Sequence, residues 1–247
     1  MRVLVLSGSG LSAESGLPTF RGAGGLYEGM AVEEFLSKDG YARRPDAVEA
    51  WLDELRAAST AAVPNGAHAA LAAYQVRYPD TVLCTQNVDT LLERAGAQEV
   101  IHLHGRLDQL RCLGHAHPLP LGQGTRTQAP ARCPRCGSRL RSDVVLFGEL
   151  APAYRVLQAI LRRARPVDAL VVIGTEGSLL PVNAFVGAFP GLRLLNNLHR
   201  SDSIDARLFH HVFEAPAARA VEEVLAELEA WRAAQRASPT RERPPAG

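Results

Sequence analysis

Residues 3–22 read V-L-V-L-S-G-S-G-L-S-A-E-S-G-L-P-T-F-R-G, and the reading of this stretch decides the architecture. Residues 3–6 are an uninterrupted apolar run, the composition of a strand buried on both faces of a parallel sheet. The run leads into Gly8-Ser9-Gly10, where glycines permit a tight turn and a close approach of backbone N–H groups to a pyrophosphate, with the positive end of a helix behind them. A plain strand-to-helix turn would use the same glycines. The third glycine, Gly16, comes too late for the G-x-G-x-x-G spacing of a dehydrogenase, so that fingerprint fails. No phosphate loop demands the P-T-F-R that follows at residues 18–21.

Working outward, further short apolar runs at residues 81–84, 100–102, 170–173 and 192–195 alternate with Ala-rich helical stretches such as 67–74 and 88–94. That rhythm predicts an α/β fold, an open parallel sheet with its ligand at the strand C-termini. Two segments break it. Residues 27–63 carry helical spacing in Val32, Phe35, Leu36, Val48, Trp51, Leu52 and Leu55 and no strand-like run. Residues 106–143 hold Cys112, Cys133 and Cys136, several Pro and Gly, and too few apolar residues to build a core without a staple. The Pro- and Arg-rich end, 237–247, reads as a disordered tail.

The 247 residues, 47% hydrophobic, suffice for one large domain or a domain with an insertion. A formal net charge of +1 gives no electrostatic case for nucleic acid or a membrane surface as partner. With no apolar run of about 20 residues and no signal peptide before the glycine loop, the expected location is the cytoplasm. In that setting Cys133-x-x-Cys136 suggests a metal before a disulfide.

The segment G-S-G-L-S-A-E-S-G-L-P-T-F-R-G-A-G-G-L-Y closely resembles the signature of the sirtuins, the NAD-dependent protein deacylases. Other sirtuin motifs follow in order: T-Q-N-V-D at 85–89, L-H-G at 103–105 and V-V-L-F-G-E at 144–149. The family usually has Ala at the place of Ser9 and Trp at that of Tyr27. The resemblance implies a Rossmann-like open parallel sheet with a small zinc-ribbon insertion and a helical excursion. The expected division is an NAD-binding domain at 1–26, 64–105 and 144–236, a helical module at 27–63 and a small zinc-binding module at 106–143.

It also implies a reaction. The acyl-lysine amide oxygen attacks C1′ of the nicotinamide ribose of NAD, nicotinamide leaves, and the acyl group ends on ADP-ribose. The cation-like transition state has to be kept from water, and Phe20 and Arg21 sit where the family places an aromatic shield on a mobile loop. The cofactor-binding set implied by the resemblance is Gly8, Ser9, Gly10, Ser12, Glu14, Pro18, Thr19, Phe20, Arg21 and Tyr27 from the first loop. It continues with Gln86, Asn87, Val88, Asp89 and His104, and then with Gly174, Thr175, Ser178, Asn196 and Asn197.

Gln86 and Asn87 are expected near the ribose, and Val88 and Asp89 near the nicotinamide; Asp89 would also start a helix well. His102 and His104 share one face of a strand, and only His104 precedes the glycine of L-H-G. His104 is therefore the candidate general base for a ribose hydroxyl, an imidazole titrating near neutrality being suited to that task. With Asn87, Phe20 and Arg21 it makes up the expected catalytic group. An extended acyl-lysine peptide would add beside Val144, Val145, Phe147 and Gly148, its acyl chain entering an apolar tunnel.

In the metal module the family's first C-x-x-C is replaced by C-L-G-H-A-H, which puts His115 in the place of the second cysteine. Cys112, His115, Cys133 and Cys136 would then hold a structural zinc, with His117 as a rival ligand. Three departures stand out. Glu176 lies in G-T-E-G-S where the family has G-T-S, Leu198 replaces the acid of the later I-N-x-E, and Leu52 and Leu55 fall at the places of the Tyr and Arg that select succinyl or malonyl chains, with Arg56 one residue off that register as the alternative. Neutral acyl groups are expected. NAD hydrolysis, ADP-ribosyl transfer or low-turnover NAD sensing would use the same fold.

Overall fold

The computed structural model describes residues 1–19, 32–115, 117–121 and 132–237. The N-terminal apolar run forms β1 (Val3–Ser7), and every residue of it is buried. β1 pairs in parallel with β2 (Thr81–Thr85) on one side and with β7 (Ala169–Ile173) on the other. The sheet continues outward to β3 (Ile101–His102) at one edge, and through β8 (Leu192–Asn197) to β9 (His211–Glu214) at the other. The order β3-β2-β1-β7-β8-β9 therefore reverses direction between β1 and β7. In an open α/β sheet the loops part at such a point and leave a crevice for a ligand.

The alternation of side chains along β1 divides the core in two. Val3 and Val5 face α4 (Gly66–Arg77) and α8 (Ala217–Ala237) with Leu71, Val221 and Leu228. Leu4 and Leu6 face the other layer, where Leu157 of α6 (Ala153–Arg162) and Val186 of α7 (Val182–Gly187) close the core. The expected strands are all present, most a residue or two longer. β9 is an addition, an exposed edge strand with no apolar run to announce it. The helix expected over 88–94 is only α5 (Leu91–Arg94), since Asp89 Oδ1 takes the Leu91 N–H at 3.0 Å.

The two segments that broke the rhythm pack on one another. The first supplies α1 (Val32–Phe35), α2 (Lys38–Arg43) and α3 (Pro45–Ala61). The second supplies an antiparallel sheet of β4 (Gly105–Cys112), β5 (Pro118–Pro120) and β6 (Leu140–Val144). Leu36, Val48 and Leu52 meet Leu107, Val144 and Leu146 in a shared cluster. At its C-terminus α8 carries Ala237, which the sequence placed in the tail, and residues 238–247 lie outside the described residues. Among the described residues no helix is long and apolar enough to cross a membrane.

Candidate active site

A cavity of about 1510 Å³ opens at the reversal point, between the parallel sheet and the packed pair of small modules. From the loop after β1 it is lined by Gly8, Ser9, Gly10, Ser12, Pro18 and Thr19, and from the loop after β2 by Gln86, Asn87, Val88 and Asp89. His104, Val144, Val145, Phe147 and Gly148 line it from the other side, with Gly174, Thr175, Glu176, Ser178 and Asn197 beyond. Phe20, Arg21 and Tyr27 lie outside the described residues.

Two residues of the expected set stand apart. Glu14 turns back to α8, where its Oε2 accepts the Ala218 N–H at 2.7 Å, a favourable carboxylate at a helix start. Asn196 is buried, and its amide donates to the Phe213 and Ala215 carbonyls, both at 2.9 Å. Strand alternation instead brings Asn197 to the cavity, where its side chain clamps Thr175: Oδ1 accepts the Thr175 N–H at 3.0 Å and Nδ2 donates to the Thr175 carbonyl at 2.9 Å.

The glycines serve one another before they serve a ligand. The Gly10 N–H donates to the Gly174 carbonyl at 2.9 Å, and a Cβ on Gly10 would stand 2.7 Å from Gly174 Cα. Gly174 itself has φ +62°, the left-handed region that glycine enters freely, and a Cβ there would meet the Leu11 N at 2.5 Å. The loops after β1 and β7 are thus locked back to back across the reversal point.

Ser12 is a buried hub. Its hydroxyl donates to Asp89 Oδ2 at 2.9 Å, accepts from Asn87 Nδ2 at 3.0 Å and faces His68 Nε2 at 3.4 Å. The tautomer of His68 follows from its other nitrogen. Nδ1 accepts the Asn65 N–H at 3.2 Å, so a neutral ring carries its proton on Nε2 and points it at Ser12. Burial lowers His68 to about 4, whereas burial raises the Asp89 carboxyl.

Stability should therefore vary with pH. Between about pH 6.5 and about pH 4 the unfolded chain binds a proton on His68 that the folded chain refuses, so stability falls as pH falls through that window. The loss from pH 7 to pH 5 should be roughly 2 kcal/mol. Asp89 acts in the opposite sense, so the His68 contribution is read as the difference in urea midpoint slope between wild type and His68→Asn. Equal slopes would remove it.

His102 and His104 pin consecutive carbonyls of the loop after β2. His102 Nδ1 donates to the Asn87 carbonyl at 2.9 Å, and its Nε2 meets Glu93 Oε1 at 2.8 Å, so both nitrogens are spent on structure. His104 Nδ1 donates to the Gln86 carbonyl at 2.9 Å, which leaves Nε2 as the acceptor on the cavity side. There it takes the Tyr154 hydroxyl at 2.7 Å. Burial lowers the His104 ring below the ordinary histidine value, against the opposing bond from Gln86. Gly105 fixes this junction, because it has φ +83° and a Cβ would stand 1.9 Å from the Asp143 carbonyl oxygen.

Trp51, Leu52 and Leu55 of α3 wall the cavity together with Val88, Leu107 and Leu146. Arg56 is turned away and buried, donating to the Leu107 carbonyl, to Ser142 Oγ and to Asp53. Tyr154 and Trp51 are cavity residues that the sequence motifs did not mark; Trp51 was visible only as one apolar position of a helix.

In the metal module the rival histidine, His117, lies with the thiols. Cys112, Cys133 and His117 bring their donor atoms within 4.8 Å of one another, with Cys133 Sγ 3.3 Å from His117 Nε2. Cys136 lies beside this group of three, its Sγ 3.4 Å from that of Cys112. His115 is exposed and stacks on the outer side of His117 with ring centroids 6.3 Å apart. Two thiols and an imidazole at such spacings, with the Cys136 thiol beside Cys112, suit the donor set of a tetrahedral zinc, with sulfur at about 2.3 Å and nitrogen at about 2.0 Å. Cys112, His117, Cys133 and Cys136 would hold that ion, which would act as a structural staple.

The Sir2 family pattern matches residues 8–181. An NAD-dependent protein deacylase of Campylobacter jejuni is 35% identical over 229 residues, covering 92% of this chain and 95% of that protein. NAD-dependent protein deacylase 1 of Pseudomonas aeruginosa is 39% identical over 202 residues, 78% of each chain. Among solved structures, a mutant Sir2 homologue in complex with ADP-ribose superposes with a TM-score of 0.79 at 31% identity, covering 96% of this chain and 94% of that one.

Proposed function

This chain belongs to the Sir2 family, and from that premise and the cleft geometry we infer an NAD-dependent protein-lysine deacylase that releases nicotinamide and passes the acyl group to ADP-ribose. The observation that carries the reading is His104, a neutral imidazole oriented by the Gln86 carbonyl with its remaining nitrogen on the cavity side. A general base has to reach its proton and remain unprotonated at working pH; burial favours the neutral ring of His104, and its Nε2 lies on the cavity side where a ribose hydroxyl would come.

NAD supplies the electrophilic ribose carbon and the hydroxyl that finally accepts the acyl group. The residues of this chain bind and orient it. The interlocked loops at Gly10 and Gly174 form the floor of the crevice, Gln86 Nε2 donates to Thr175 Oγ1 at 3.0 Å, and Asn87 is held by Ser12. Val144, Val145, Phe147 and Gly148 are assigned to the peptide. Phe147 already bridges in parallel to Ser37, which places this stretch between the helical module and the cleft. Phe20 and Arg21 keep the shielding role that the family motif gives them.

The acyl end of the cavity is apolar. Leu52 and Leu55 face it, and the one arginine close to their register, Arg56, has its guanidinium fully engaged elsewhere. An acyl chain ending in a carboxylate would enter without an ionic partner. Three of the four cysteines gather as a metal site rather than as a disulfide framework, which supports a reducing cytoplasmic setting.

One assay tests the reading. With NAD and an acetyl-lysine peptide, nicotinamide and deacylated peptide should appear in equal amounts. A succinyl-lysine peptide should be turned over at least about tenfold more slowly, the loss of one charge-assisted hydrogen bond being worth about 1.5–3 kcal/mol. Nicotinamide without deacylated peptide would mean a hydrolase, and NAD binding without nicotinamide release would mean a sensor. Faster succinyl turnover would overturn the acyl assignment.

A further inference from the structure

The nitrogen that should receive the ribose proton is already occupied by a side chain of the protein. The Nδ1 proton of His104 is committed to the Gln86 carbonyl, so the ring has a single in-plane lone pair, on Nε2. Tyr154 Oη lies 2.7 Å from it, and burial raises this phenol to about 12, so it stays a donor at any working pH. One lone pair accepts one well-aligned donor. A ribose hydroxyl within the same reach of Nε2 and the Tyr154 hydroxyl cannot both hold it.

We propose that Tyr154 is a positioning residue that stands in for the substrate hydroxyl: it holds His104 in the free protein and yields Nε2 when the ribose arrives. This rests on the assignment of His104 as the base. The fold allows the exchange. Tyr154 is the second residue of α6, whose first turn has no side-chain cap, and Leu150, four residues earlier, is 85% exposed. The hydroxyl makes no other hydrogen bond among the described residues, so releasing His104 frees it to turn toward the cavity, which the residue lines. While the bond lasts, it keeps the imidazole in the one tautomer that can later act as a base. Its cost is paid at binding, because one protein hydrogen bond has to break for each NAD that engages His104.

The experiment is calorimetric titration of wild type, Tyr154→Phe and Tyr154→Leu with NAD in the absence of peptide. The net worth of one neutral hydrogen bond predicts that Tyr154→Phe binds NAD about fivefold more tightly. Its kcat at saturating NAD and peptide is measured alongside the affinity. Tyr154→Leu, which removes the ring with the hydroxyl, should also tighten binding and guards against a defect peculiar to one variant. Unchanged or weaker NAD binding in both variants would overturn the proposal. So would a fall in kcat at unchanged affinity, which would make Tyr154 part of the proton path. Wild type that binds NAD but deacylates no peptide would sink the deacylase reading alone, because the binding comparison does not depend on turnover.

Discussion

His104→Ala is expected to lower deacylation by about two to four orders of magnitude, the range a positioned general base contributes, while leaving the earlier release of nicotinamide in place. The two effects separate because the base is needed only after the C1′–nitrogen bond has broken, when a ribose hydroxyl has to lose its proton. Peptide-dependent exchange of labelled nicotinamide into NAD should therefore survive in the variant while product formation collapses. The pH profile offers a second reading. Burial holds His104 below its ordinary value, so activity should rise with pH along an acid limb below about 6.5 and be level at neutrality. That limb should be missing from the residual rate of His104→Ala. A variant that retained wild-type deacylation, or a residual rate with the same limb, would take the base assignment away from this residue. Proton transfer would then have to be sought elsewhere in the cleft, and His102 is a poor substitute with both nitrogens bound.

The sheet and most of the cleft were legible because the information was local. A run such as residues 3–6 is apolar on consecutive positions only when both faces are covered, and the loop that follows such a strand has to emerge at the sheet's C-terminal edge. Where the structure departs from the sequence reading, the deciding quantity was a register. Counting C-x-x-C from Cys112 arrives at His115, but β4 ends at Cys112 and residues 113–115 form the turn. The chain then returns so that the Cys112 N–H meets the His117 carbonyl at 3.1 Å. Hairpin pairing, not chain spacing, sets which histidine faces the thiols. Asn196 and Asn197 differ in the same way: both end β8, and strand alternation sends one amide under the sheet and the other into the cleft. Tyr154 had no local signal at all. Its position depends on how α6 docks beside His104, which no pattern within the helix encodes.

Removing zinc should have the second large effect, and the fold says why it would reach the active site. The far end of the small sheet has little core of its own: Leu110, Cys112, Cys133 and Leu140 form its buried cluster, and two of those four are metal donors. Structural zinc in small domains is worth on the order of 10 kcal/mol of apparent binding free energy, far more than such a cluster can replace. The purified protein is accordingly expected to carry about one zinc per chain. Stripping it with a strong chelator should release the ends of β4 and β6 that the donors join. β4 begins at Gly105, directly after His104, and Val145 donates its N–H to the His104 carbonyl at 2.9 Å. Loosening that pair therefore moves the base and the peptide-binding segment together, and deacylation should fall with the metal and return when zinc is restored. Cys133→Ser and His117→Ala should each lose the metal and lower Tm by about 10 °C, as a loss of a few kcal/mol does in a chain of this size, whereas His115→Ala should keep zinc and stability. Elemental analysis that found no zinc in the native protein, or a His115→Ala variant that lost it while His117→Ala did not, would return the ligand set to the one counted from sequence or remove the metal altogether.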